Sequence, residues 1–166
     1  MGVGAEGNFF EDFAVGQTLR HRGGRTLTTG DNALYIALTG DRYPTYSDAT
    51  FAQGLGYERA LINDLLVFHI VFGKTVSEIS LNAVANLGYA DVQFRAPVYP
   101  GDTLHAETEI IGVKENSSGK TGTVYVHTQG MNQRDEVVLE FCRWVMVNKR
   151  APETPHPVNV VPDFLP

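Results

Sequence analysis

Between Asn63 and Ser77 the chain carries Leu65, Leu66, Val67, Phe68, Ile70, Val71, Phe72 and Val76 at positions that leave a helix almost no polar face. A helix apolar all round is a buried helix, so the rest of the chain has to be organised around this segment. Further on, the period of hydrophobicity changes from 3.6 to 2. Ala90, Val92 and Phe94 alternate with Asp91, Gln93 and Arg95, and Leu104, Ala106, Thr108 and Ile110 alternate with His105, Glu107 and Glu109. That is the pattern of half-buried antiparallel strands. Two more strands are expected over residues 121–128 and 137–148, with turns at 115–119 and 132–135. One meander and one wholly apolar helix satisfy each other when the sheet curls around the helix, an α+β arrangement whose outer rows are short of cover. Such a unit is expected to pair with a second one.

The N-terminal half supplies the covering elements. Phe9, Phe10 and Phe13 form an aromatic anchor before a first strand, residues 18–22, which Gly23-Gly24 ends. Thr28 or Thr29 can cap a helix carrying Leu34, Tyr35 and Leu38, with Asp31 placed to suit the helix dipole and Gly40 to stop it. Residues 41–47 contain Pro44 and form a loop, and a short helix over 48–55 follows with Ser47 as its cap. The last strand is apolar on both faces, so one face is expected to meet another subunit or the N-terminal helices. Residues 1–150 read as one domain. Residues 151–166 carry five prolines and read as an extended tail positioned to drape over a partner.

The formal net charge is −6 and no Lys/Arg cluster reverses it locally, which argues against nucleic acid as a partner. No apolar run approaches the length of a membrane span, and no secretory signal pattern opens the chain. The single cysteine, Cys142, lies in an apolar run and reads as a small buried hydrophobe, suited to a reducing cytoplasm. Residues 2–7 fit the dinucleotide glycine pattern letter for letter, but no strand precedes them. Asn116-Ser117-Ser118 reads as a turn. His69 reads as a satisfied core histidine, and His105 and His127 as outward strand positions that make no metal site.

At Thr39-Gly40-Asp41-Arg42-Tyr43-Pro44-Thr45-Tyr46 the sequence resembles the hydratase motif of MaoC-like and (R)-specific enoyl-CoA hydratases, with Asp41 in the place of the catalytic aspartate, Pro44 in that of the proline and Tyr46 in the histidine slot. Pro97-Val98-Tyr99-Pro100-Gly101-Asp102-Thr103-Leu104 resembles the turn that leads into a strand throughout the same family. Over most of its length, from Asn8-Phe9-Phe10-Glu11-Asp12-Phe13 to Trp144-Val145-Met146-Val147, the chain is similar to the N-terminal half of the longer, double-hot-dog mesaconyl-CoA hydratases. The resemblance implies the hot-dog fold, a homodimer, a higher homo-oligomer or a heteromer with another hot-dog protein, and an acyl-CoA substrate, branched or dicarboxylic. It implies hydro-lyase chemistry without metal or redox cofactor, the CoA being part of the substrate.

That chemistry asks for a group that activates water and a backbone amide that polarises the thioester oxygen, which a helix N-terminus provides. The resemblance puts the amide at Asn63, Asp64 and Leu65, where the family carries His-Gly. A phenol in place of imidazole is about 3.5 pH units, or about 5 kcal/mol, worse as a base near neutrality. Asp41 is therefore the expected general base, with Tyr46 donating a hydrogen bond to the water or to Asp41. Taken without the resemblance, Asp41 reads first as a turn residue after a helix end, a reading that the resemblance brings level with the catalytic one, and Tyr46 reads as a packed aromatic. Two other functions fit the same features: a non-catalytic acyl-CoA-binding hot-dog subunit that completes a catalytic partner, and a thioesterase using Asp64, the obvious carboxylate on the central helix.

Overall fold

The computed structural model describes residues 7–163, so the glycine pattern at 2–7 lies outside it but for Gly7. Among the described residues the strands are β1 (Thr18–Arg20), β2 (Arg25–Thr26), β3 (Ala83–Phe94), β4 (Thr103–Glu115), β5 (Thr121–Met131) and β6 (Val137–Asn148). They form one antiparallel sheet in the order β1-β4-β5-β6-β3, with β2 also pairing to β4. The expected first strand is thus shorter, and Gly23-Gly24 separates it from a second short strand on the same edge of β4.

Helix α1 (Thr29–Thr39) begins as its sequence predicts. Thr28 accepts from the Asp31 amide, Asp31 accepts from the Thr28 amide in return, and Gly40 closes the helix at φ 72°. Of its expected apolar residues Tyr35 packs against the core, whereas Leu34 and Leu38 are exposed, and the buried residue is Asn32. Helix α2 (Ala49–Gly54) is capped by Asp48, one residue later than expected, because residues 44–46 form a 3₁₀ turn that takes up the Ser47 amide. Helix α3 (Asp64–Lys74) is capped by Asn63 and stops short of Ser77; a π-helical turn, Val76–Ser80, follows.

Strand residues of alternating burial in β4 and β6 meet α3 from one side. Leu66, Val67 and Val71 pack with Leu104, Ala106, Leu139 and Phe141 in one core cluster. Phe10, Phe13 and Ile79 close a second cluster over Ile110, Val124, Val126, Val145 and Val147, which confirms the N-terminal aromatic anchor. Between the clusters runs a buried polar belt. His21 Nδ1 is 2.9 Å from Glu78, its Nε2 is 2.8 Å from the Thr108 hydroxyl, and Thr108 meets Thr128 at 2.9 Å. Arg143 extends this belt, buried over the Phe72 ring at 4.8 Å and donating to Thr75.

Three expectations need correction. Helix α3 is not buried all round: Leu65 and His69 are exposed, and His69 is no core histidine but pairs with the Tyr35 hydroxyl at 3.1 Å. A sheet curled about one helix covers one side of it, so an apolar outer face calls for cover from elsewhere. Strand β3 is mostly exposed on both faces rather than half buried, because it is the last strand of the sheet. The described part of the tail, residues 151–163, stays on its own domain. Val160 bonds to Val113, Asn159 to Glu115, and His156 to Glu115, so the tail lies along β4 of its own chain. Cys142 is buried as expected, and burial pushes its thiol up to about 11.

Candidate active site

The start of α3 brings together all five residues expected to act, Asp41, Tyr46, Asn63, Asp64 and Leu65. The loop after α1 brings Asp41 to the helix cap: its Oδ2 accepts from the Asn63 carboxamide at 2.7 Å and its Oδ1 from the Tyr43 amide at 2.9 Å. The 44–46 turn brings Tyr46 beside it. Its hydroxyl donates to Asp64 Oδ2 at 2.8 Å, so the phenol reaches Asp64 and not Asp41. Burial raises the Tyr46 pKa first, and the Asp64 carboxylate raises it further, while a backbone hydrogen bond from Asp64 to the phenol pulls the other way. Tyr46 is thus a firm hydrogen-bond donor near neutral pH.

Burial raises the Asp64 pKa and the charge of Asp41 adds to that, opposed by the Tyr46 hydrogen bond. The amides divide between two tasks. Those of Leu65 and Leu66 donate to Asn63 Oδ1 at 3.0 and 3.3 Å, which is the cap itself. That leaves Leu65, whose side chain is exposed, committed to the cap, while the Asp64 amide takes no part in the cap.

Sequence reasoning missed the residue that ties these parts together. Asn32, buried on α1, donates to the carbonyls of Tyr46 and Leu61 and accepts from the Asn63 amide at 2.8 Å. It fixes the 41–46 loop against the entry to α3. A polar residue one turn into an otherwise apolar helix was the available signal. Beside Tyr46, between α1 and the segment leading to α3, lies a cavity of about 720 Å³ walled by Ala33, Ile36, Ala37 and Ala60, with Arg59 in its lining. Such a volume suits a ligand of moderate size with an apolar part.

The family model described as mesaconyl-CoA hydratase matches residues 3–159. The chain belongs to the mesaconyl-CoA hydratase family. It is 62% identical over 158 residues to a beta-methylmalyl-CoA dehydratase of Chloroflexus aurantiacus, covering 95% of this chain and 45% of the relative. Against a mesaconyl-CoA hydratase of Cereibacter sphaeroides it is 51% identical, covering 95% and 46%. The chain therefore spans about half the length of these curated relatives. A crystal structure of a MaoC domain protein dehydratase from Chloroflexus aurantiacus superposes with a TM-score of 0.94 at 59% identity, over 99% of this chain and 47% of that one. A Mycobacterium tuberculosis protein described as having a double hot-dog fold matches at a TM-score of 0.84 and 26% identity, over 93% and 48%. The fold of this mesaconyl-CoA hydratase family member is the hot-dog fold expected from its sequence.

Proposed function

We propose that the chain is one hot-dog unit of an acyl-CoA hydro-lyase that adds water to an enoyl-CoA or removes it from a 3-hydroxyacyl-CoA. The names of the relatives, mesaconyl-CoA hydratase and beta-methylmalyl-CoA dehydratase, favour a branched, dicarboxylic acyl group. The observation that carries this reading is the meeting of Asp41, Asn63, Asp64 and Tyr46 at the start of α3. Asp41 acts as general base on water, and the backbone amide of Asp64, at the start of α3, receives the thioester oxygen. The helix N-terminus favours the negative charge that develops there. The reaction consumes or releases water and needs no metal or redox group. Buried, unpaired Cys142 fits a reducing, cytoplasmic setting.

The unit is read as half of a pair. Strand β3 bonds to β6 along one edge and shows Val84, Leu87, Tyr89, Val92 and Phe94 to solvent, while α3 shows Leu65 beside it in the chain's uncovered face. A long apolar edge strand is a surface that proteins cover, and a second hot-dog unit, a copy or a further half, would cover it. The test of function is loss of the enoyl-thioester absorbance with mesaconyl-CoA and crotonyl-CoA. The Asp41→Asn variant should lose about 100-fold or more in rate while keeping its fold; an Asn variant as fast as the wild type would remove Asp41 from the mechanism. One observation favours a second reading, a binding half without turnover: both oxygens of Asp41 are engaged in hydrogen bonds within the protein. Tight CoA-ester binding with no turnover would select it.

A further inference from the structure

The two carboxylates at the start of α3 sit in unlike surroundings. Asp41 accepts hydrogen bonds at both oxygens, from a backbone amide and a carboxamide. Asp64 is half-buried, and the hydrogen bond described for its side chain is the one from Tyr46. Desolvation and the neighbouring Asp41 charge both favour its protonated form, with Tyr46 alone among the described groups acting against them. When two acids of one site sit in such unlike surroundings, one can serve as base and the other as acid.

We propose that Asp64 is the proton donor of this site, paired with Asp41 as base, and that Tyr46 is the positioning residue that holds the Asp64 carboxyl group. This rests on the hydro-lyase reading. In the hydration direction Asp41 takes a proton from water as the water oxygen bonds to Cβ. The π pair of the double bond moves toward the thioester carbonyl, and the Asp64 carboxyl gives its proton to Cα as the carbonyl re-forms. The proton on Asp41 then returns to Asp64 through water, so one water is added and nothing is oxidised or reduced. The titratable groups facing Asp64 are Tyr46 from the 44–46 turn and Asp41 from the loop after α1. Tyr35 of α1, within reach of the Asp41 charge, binds His69 further along α3.

The test is the pH dependence of kcat and KM for the wild type, Asp64→Asn, Asp64→Glu and Tyr46→Phe on the enoyl-CoA esters, with thermal unfolding of each as a control. The wild type should lose rate at both acid and alkaline pH. Asp64→Asn should lower kcat about 100-fold or more with KM little changed, and erase the alkaline limb. Asp64→Glu should recover part of the rate. Tyr46→Phe removes the bond that favours ionised Asp64, so its alkaline limb should move to higher pH, a shift that a purely structural tyrosine would not cause. Wild-type kcat and an unchanged alkaline limb in Asp64→Asn would overturn the assignment alone. A wild type inert toward both esters would remove the hydro-lyase reading, and this assignment with it.

Discussion

Asn32 gives its carboxamide hydrogens to two backbone carbonyls and accepts a third bond from the Asn63 amide. All of its partners lie at least 14 residues away in sequence, so a side chain without chemistry of its own sets the distance between the 41–46 loop and α3. His21 plays a similar part in the polar belt, with a titratable group. Burial holds its pKa below the ordinary imidazole value, although Glu78 pulls it upward. For Glu78 burial raises the pKa, but hydrogen bonds from Ser77 and His21 outweigh it and the net shift is downward. A depressed folded-state pKa means that the unfolded chain takes up protons first as pH falls. His21 stability is thus present above its unfolded value of about 6.5 and is lost as pH falls through the lower folded value; the Glu78 share is lost at still more acid pH. The melting temperature should fall between neutrality and mildly acid pH, and His21→Gln, though less stable, should show a flatter profile there. An equally steep profile in the variant would mean that another group is responsible.

At the scale of elements, close approach is built with glycines in β5. A Cβ at Gly122 would stand 2.3 Å from the Phe10 ring, and one at Gly130 would stand 2.6 Å from Val71 of α3. The N-terminal anchor and the central helix therefore each rest on a bare stretch of the same strand. Gly122→Ala should destabilise the protein by about 1–3 kcal/mol, the usual range for overpacking a filled core, read as a lower urea midpoint with an unchanged slope. A neutral result would show that the Phe10 segment can shift without cost. Helix α3 ends at Lys74, earlier than its apolar run. After Lys74 the chain widens into a π turn that carries Glu78 inward to His21, where a continued α-helix would carry its side chains at a different angle.

For the whole molecule, the uncovered faces of β3 and α3 lie on a chain that spans about half its curated relatives. A self-complementary edge favours a two-fold pair. Light scattering of the purified chain should give twice the mass of one copy, 18.2 kDa. Leu87→Lys together with Val92→Lys should shift it to a single copy, since charges on an edge strand oppose strand pairing. A wild type that stays a single copy at all concentrations would overturn self-pairing and leave a different hot-dog unit as the cover.

The sequence by itself determined the local structure and the class of fold. The Thr28–Asp31 cap and the Gly40 stop, the β4 alternation, the two meander strands after it and the buried Cys142 are set by neighbours within a few residues, and periodicity and capping report such neighbours directly. The Asp41 to Tyr46 motif was legible through its resemblance to the motif of MaoC-like hydratases. Tertiary structure decided which faces are covered and which groups meet. The nearly all-apolar α3 gives little sign in sequence of which side lies against the sheet, and in α1 Leu34 and Leu38 face outward while Tyr35 packs on the core and Asn32 is buried. The pairs His21–Glu78, 57 residues apart, and Tyr46–Asp64, 18 residues apart, depend on how the sheet curls and where the loop lands. Side-chain chemistry can propose such partners, but it is the packing of distant elements that brings them within hydrogen-bond distance.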